Sequence, residues 1–119
     1  MSKVFAFTLI IISSVFISAS CSKSGSGGGG TSLDCNTVAN KAFAADVNPT
    51  IQSSCAIASC HNAGSTNGPG PLTNYPQVFN ARTTIQTAVS AGTMPKTGSI
   101  SASQKNSILC WIQSGAPNN

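Results

Sequence analysis

The chain of 119 residues predicts an all-α domain of about four to five short helices. Two observations lead to that class. Apolar residues recur at helical spacing between start and stop signals from residue 33 onward, and no stretch alternates apolar and polar residues as a half-buried strand would. A third observation concerns the core. Aromatic residues are few in the folded part (Phe43, Tyr75, Phe79 and Trp111) and small polar residues are many, so the side chains alone fill a core poorly.

Residues 1–20 carry Lys3, an apolar run from Val4 to Ile17, and then Ser18, Ala19 and Ser20 ahead of Cys21. A charged start, a short apolar stretch and small residues at its end describe a secretory signal rather than a membrane span. Small residues ending on a Cys resemble a bacterial lipoprotein signal, which makes Cys21 the expected lipidation site and the membrane anchor. The alternative is ordinary signal cleavage that leaves Cys21 as a free or paired thiol. Residues 21–32 are the lipidated Cys and a Gly/Ser run that buries nothing and behaves as a flexible tether spanning roughly 20 Å. The glycines lack the Gly-Lys-Ser/Thr ending and the preceding strand of a phosphate-binding loop.

Residues 33–119 are then one domain, near the size at which a hydrophobic core alone gives little surplus stability. The first helix is expected over about Cys35 to Ala45, with Asp34 as N-cap, Leu33 stapled on Val38, and Val38 and Ala42 inward. The next begins at Asn48-Pro49, because Asn caps and Pro tolerates the first helical position, and it places Ile51 and Cys55 on one face. Residues 62–72 read as loop, rich in Gly and Pro, wrapping His61. A short helix follows from Tyr75 to about Ala81, capped by Asn74 or Thr73. Another covers Thr83 to Ala91 with Ile85, Ala88 and Val89 inward and Gly92 as its stop. The last helix has a capping box, Ser101 with Gln104, and an apolar stripe of Ile108, Leu109, Trp111 and Ile112 that ends at Gly115.

The chemistry-bearing motif is Cys55-Ala-Ile-Ala-Ser-Cys60-His61. Two thiols just ahead of an imidazole are what is needed to join a haem to a chain through its two vinyl groups and to ligate its iron. The spacing is Cys-x4-Cys-His where the commoner attachment signature is Cys-x2-Cys-His. Five residues along a continuous helix would rotate Cys60 away from Cys55, so the chain must loosen between them. The competing reading is a Cys55–Cys60 disulfide beside an ordinary surface histidine, common in small exported chains.

Met94, in Gly92-Thr93-Met94-Pro95, is the one methionine besides the initiator. It sits in a turn-like setting that Pro95 keeps out of helix, suited to a second axial ligand; the bland reading is a soft core filler. With Cys21 given to lipid and Cys55 and Cys60 to haem, Cys35 and Cys110 remain and should pair in an oxidising compartment. Without haem, the four mature non-lipid cysteines allow two bridges in three arrangements.

From about Asn48 to Asn119 the chain resembles the class I cytochrome c family, in the small bacterial lipoprotein form. The matching elements are Pro49-Thr-Ile-Gln-Ser-Ser-Cys55, Cys60-His61, Met94-Pro95, Ser101-Ala-Ser-Gln104 and Ile108-Leu-Cys-Trp-Ile-Gln-Ser-Gly-Ala-Pro117. The resemblance implies a cytochrome c-like bundle around one covalently attached haem c. It implies thioether attachment through Cys55 and Cys60 and axial ligation of iron, the metal, by His61 and Met94. The chain departs from the family in the two extra residues between the haem cysteines and in the pair Cys35 and Cys110.

The expected function is one-electron transfer by a membrane-tethered monohaem cytochrome, an electron carrier rather than an enzyme. Its partners would be redox proteins or a membrane respiratory complex, with the domain in the periplasm or at the cell surface. Asp34 and Asp46 are the only acids, too few for paired-carboxylate chemistry, and a single histidine leaves no Ser/His/Asp set. The mature cations Lys23, Lys41, Arg82, Lys96 and Lys105 outnumber those acids and suit an acidic redox partner. They are too sparse, and without interleaved aromatics, for nucleic acid. Arg82 or Lys96 is the candidate to pair with haem propionates, the alternative being solvated surface charge. Trp111 is expected as a core aromatic that also borders the haem edge. The rival functions are a haem-free, disulfide-stabilised lipoprotein adaptor or binding module, a cytochrome subunit fixed in a larger complex, and a gas-sensing or catalytic haem protein with labile Met94 ligation.

Overall fold

A computed structural model of the chain describes residues 32–119. The signal-like segment, Cys21 and the Gly/Ser run as far as residue 31 lie outside the described residues. Among the described residues there is no strand, and the elements are a π-helical turn over Phe43–Val47 followed by α1 (Asn48–Ser54), α2 (Tyr75–Asn80), α3 (Arg82–Ser90) and α4 (Ala102–Gln113). None of these helices is long and apolar enough to cross a membrane.

The helix expected over 35–45 does not form. Asp34 spends its carboxylate on a local turn, accepting from the backbone and side-chain amides of Asn36 at 3.0 Å each, as short Asp side chains do when they compete with helix. Residues 38–42 have no regular structure, with Ala42 extended at φ −77°, ψ 141°. Leu33 packs on the main core instead of stapling Val38. Helical structure begins only where its first N–H groups find acceptors. Asp46 Oδ2 accepts from the Ala42 N–H at 2.8 Å, and the Asn119 side-chain and backbone oxygens accept from the Phe43 and Ala44 N–H groups at 2.9 and 2.8 Å. The turn is wide because the N–H of Val47 reaches back five residues to the Ala42 carbonyl. It runs straight into α1, so Asn48 lies inside helical structure and accepts from Gln52 rather than capping.

The other boundaries follow local chemistry closely. Asn74 caps α2 by accepting from Gln77 N–H, while Gln77 Oε1 reaches back to the Thr73 N–H and hydroxyl. Ala81 both closes α2 and opens α3. At the end of α3, Gly92 takes φ +69° and the Thr93 N–H bonds the Ala88 carbonyl, a Schellman stop that only a residue at ease with positive φ supplies cheaply. The Ser101–Gln104 capping box on α4 is complete on both sides.

The α4 helix packs on both the π-helical turn and α3, which gathers Phe43, Val47, Ile51, Val78, Ile108 and Trp111 into one core. Phe43, Tyr75, Phe79 and Trp111 form a chain of ring contacts with centroids 4.9–6.5 Å apart. The polar ends of the buried aromatics are satisfied: Trp111 Nε1 donates to the Pro117 carbonyl at 2.8 Å and Tyr75 Oη to the Ala116 carbonyl at 2.9 Å. The sparse aromatics therefore make a side-chain core after all, by converging on one spot. Cys35 and Cys110 form a disulfide with Cα atoms 5.2 Å apart, tying the irregular N-terminal segment to α4.

Candidate functional site: a cavity behind the Cys-x4-Cys-His motif

The α1 helix ends because its last turn opens. The N–H groups of Cys55 and Ala56 both bond the Ile51 carbonyl, and the chain then leaves helical geometry. Ser59 adopts φ +65°, a left-handed conformation costly for a non-glycine residue, and the His61 N–H closes a wide loop onto the Cys55 carbonyl at 3.0 Å. This is the loosening that the five-residue separation requires. It brings Cys55, Cys60 and His61 to the wall of one cavity.

That cavity has a volume of about 710 Å³ and lies between the end of α1 with its following loop, α3, and the segment 93–97. Met94 lines it together with Cys55, Cys60 and His61, so the four residues singled out in the sequence share one space although Met94 lies 33 positions beyond His61. Ile51, Leu72, Ile85 and Val89 belong to both the core and the cavity wall. An apolar recess with a few convergent polar groups, in the range of about 300–1,000 Å³, is the usual form of a small-molecule or cofactor site.

His61 is buried and held from behind. Its Nδ1 lies 2.9 Å from the Gly70 carbonyl oxygen, and the loop between closes with the Leu72 N–H on the His61 carbonyl. A carbonyl only accepts, so Nδ1 carries a proton, and in the neutral ring the lone pair then lies on Nε2. The one side-chain hydrogen bond of His61 among the described residues is at Nδ1. A neutral imidazole fixed in this tautomer by a backbone acceptor is the form that ligates a metal.

Cys55 and Cys60 are both free thiols. Of the arrangements open to the four cysteines the structure contains the Cys35–Cys110 bridge and no Cys55–Cys60 bridge. Burial, with a smaller contribution from the neighbouring Cys60, pushes the Cys55 thiol up from its ordinary range and keeps it protonated. Among the described residues no three His, Cys, Asp or Glu side chains converge as a cage for a bare ion. One imidazole, one thioether and two separated thiols instead suit a flat ring that supplies its own equatorial ligands, so the donor set fits haem.

Trp111 is the core aromatic that was expected, and neither it nor Arg82 lines the cavity. Trp111 is fully buried in the aromatic core and is not part of the cavity wall, because the C-terminal turn and Phe43 enclose it. Arg82 is also elsewhere, its guanidinium 4.1 Å from the Phe79 ring centroid and donating to the Phe79 carbonyl. Lys96 is the one lysine or arginine on the wall. No family model, curated protein or solved structure matches the chain.

What the sequence did not point to is the support of the site. The Gly70 carbonyl behind His61 and the Ser65 and Asn67 side chains on the Ser59 and Cys60 carbonyls have no signature beyond a Gly/Pro-rich loop.

Proposed function

We propose that the chain is a one-electron carrier, a monohaem c-type cytochrome held at a bacterial membrane through Cys21, with a cytochrome c-like arrangement of its helices around the cofactor. The observation that carries this reading is the convergence of Cys55, Cys60, His61 and Met94 on one cavity of about 710 Å³, with His61 hydrogen-bonded at Nδ1. When bound, haem supplies the Fe(III)/Fe(II) couple.

The chain's own residues do the rest. Cys55 and Cys60 would hold the group covalently, each by addition of its S–H across a vinyl C=C with sulfur on one carbon and hydrogen on the other, and no oxidant would be consumed. His61 would hold the iron through Nε2 and Met94 through its thioether, a pair of donors that would favour the reduced state relative to two imidazoles. Ile51, Leu72, Ile85 and Val89 exclude water, and Lys96 is placed to meet a carboxylate at the rim. With His61 and Met94 both engaged as donors, the chemistry the group would supply is electron exchange rather than substrate turnover. Redox proteins or a membrane respiratory complex, in the periplasm or at the cell surface, are the partners this reading implies.

The test is the absorption spectrum and intact mass of the full chain purified from its own exporting cell. An intense Soret band and a mass increased by one covalent haem support the carrier. Colourless protein whose Cys55 and Cys60 are joined to each other would sink it in favour of a haem-free lipoprotein adaptor. Met94→Ala should keep the covalent haem, lose the far-red band of methionine-ligated ferric iron and lower the midpoint potential.

A further inference from the structure

The two residues added to the Cys–Cys spacing leave a longer, looser loop that must still aim both thiols. Ser59 in that loop holds a left-handed φ of +65°, a conformation that the surroundings must impose on a residue with a Cβ. Two side chains of the following loop hold it. Asn67 Nδ2 donates to both the Ser59 and the Cys60 carbonyls at 3.0 Å, and Ser65 Oγ donates to the Cys60 carbonyl as well. Ser65 Oγ also accepts from the Asn67 backbone N–H at 3.2 Å, so the Ser65 hydroxyl ties the Asn67 backbone to the same carbonyl.

Three residues further on, the same loop presents the Gly70 carbonyl to His61 Nδ1. One short segment therefore holds the peptide that carries the second thiol and the ring that follows it.

Building on the function proposed above, we infer that Asn67, assisted by Ser65, is a positioning residue for thioether formation at Cys60: it clasps the enlarged Cys-x4-Cys loop so that the second sulfur meets its vinyl group while His61 is in place. The clasp acts through the Cys60 backbone and touches no reacting atom. The covalent step is the addition of the Cys60 S–H across one vinyl C=C, the proton and sulfur ending on adjacent carbons, with no net oxidation or reduction. Cys55 is outside the clasp, since its position follows from the end of α1. Loss of the clasp therefore separates the two attachment events.

The experiment compares the wild-type chain with Asn67→Ala, Asn67→Asp and Ser65→Ala, each isolated from the exporting cell. The readouts are peptide mass mapping of the haem-bearing cysteines and the reduced pyridine-adduct spectrum, whose α band moves to the red when a vinyl group is left unsaturated. Asn67→Asp keeps the shape and removes the donor. Both Asn67 variants are expected to raise the fraction of chains attached at Cys55 alone at least fivefold, with Ser65→Ala giving a smaller rise. His61 ligation should persist in the singly attached chains, seen as a spectrum that stays low-spin while its bands move to the red. Double attachment in Asn67→Ala and Asn67→Asp at the wild-type level overturns the clasp and leaves the carrier reading intact. Equal loss at Cys55 and Cys60 also overturns it, because that is the mark of a general folding defect. If the wild-type chain carries no haem, the carrier reading fails, and the clasp is read from alkylation of the full chain. Cys60 should then react at least threefold faster in Asn67→Ala with Cys55 unchanged; equal Cys60 rates overturn the clasp.

Discussion

The two sides of the domain solve opposite problems. On the side of α4, the disulfide, the aromatic cluster and the C-terminal residue on the π-helical turn close a core around Trp111, every polar end paired. On the other side, α3 and the loops 59–72 and 93–97 surround a cavity of about 710 Å³, and the loop 59–72 is held by side-chain hydrogen bonds to backbone carbonyls. The aromatic packing and the covalent tie of so small a domain therefore lie on one flank, and Ile51, Leu72, Ile85 and Val89 join that core to the cavity wall. This frees the other to keep a space that protein atoms do not fill, which a closely packed core would not tolerate.

Breaking the packed flank should have the largest effect. Trp111→Ala removes the fully buried ring and orphans the Pro117 carbonyl, and a loss of about 3–5 kcal/mol is expected in urea unfolding. Replacing the bridge in the double variant Cys35→Ser with Cys110→Ser releases a loop of 75 residues and should cost about 2–5 kcal/mol, again seen as a lower urea midpoint. A loss under about 1 kcal/mol would show that the N-terminal segment is ordered without the covalent tie.

A paired substitution sharpens the contrast between the flanks. In the haem-free chain, Ile108→Ala in the closed core should cost about 2–5 kcal/mol, while Ile85→Ala, whose side chain already borders the cavity, should fall at or below the low end of that range. In the haem-loaded chain the difference should shrink, because Ile85 then loses a packing partner. Equal costs in the haem-free chain would mean that the cavity collapses.

The smallest effect concerns pH. Burial and the adjacent Cys60 hold the Cys55 thiol protonated to higher pH than in the unfolded chain, so as pH rises through the ordinary thiol range the unfolded state ionises first and the haem-free fold loses stability. Urea midpoints taken between about pH 7 and 10 should fall across that window. Cys55→Ser should flatten the decline, and a thioether at Cys55 should abolish it.

The helix boundaries that were legible in the sequence are those set by a few adjacent residues. Asn74 with Gln77, Gly92 after α3, and Ser101 with Gln104 act within one turn, and each stands where its spacing places it. Asp34 shows the limit. The same short side chain caps a helix or closes a turn, and the choice fell to the turn because Cys35 is bonded to Cys110 and the first helical N–H groups found their acceptors on Asn119.

By itself, then, the sequence determined the all-helical class, the caps and stops at Asn74, Gly92 and Ser101, and the residue types of the Cys55, Cys60, His61 and Met94 set. Tertiary structure alone decided that Cys55, Cys60, His61 and Met94 share a cavity, that Trp111 and Arg82 stand apart from it, and that Gly70, Ser65 and Asn67 support it. Caps and periods are interactions across a few residues and leave a trace in spacing. A carbonyl that fixes a tautomer, or a core that claims a tryptophan, depends on where distant segments meet, and the spacing of residues along the chain carries no record of that.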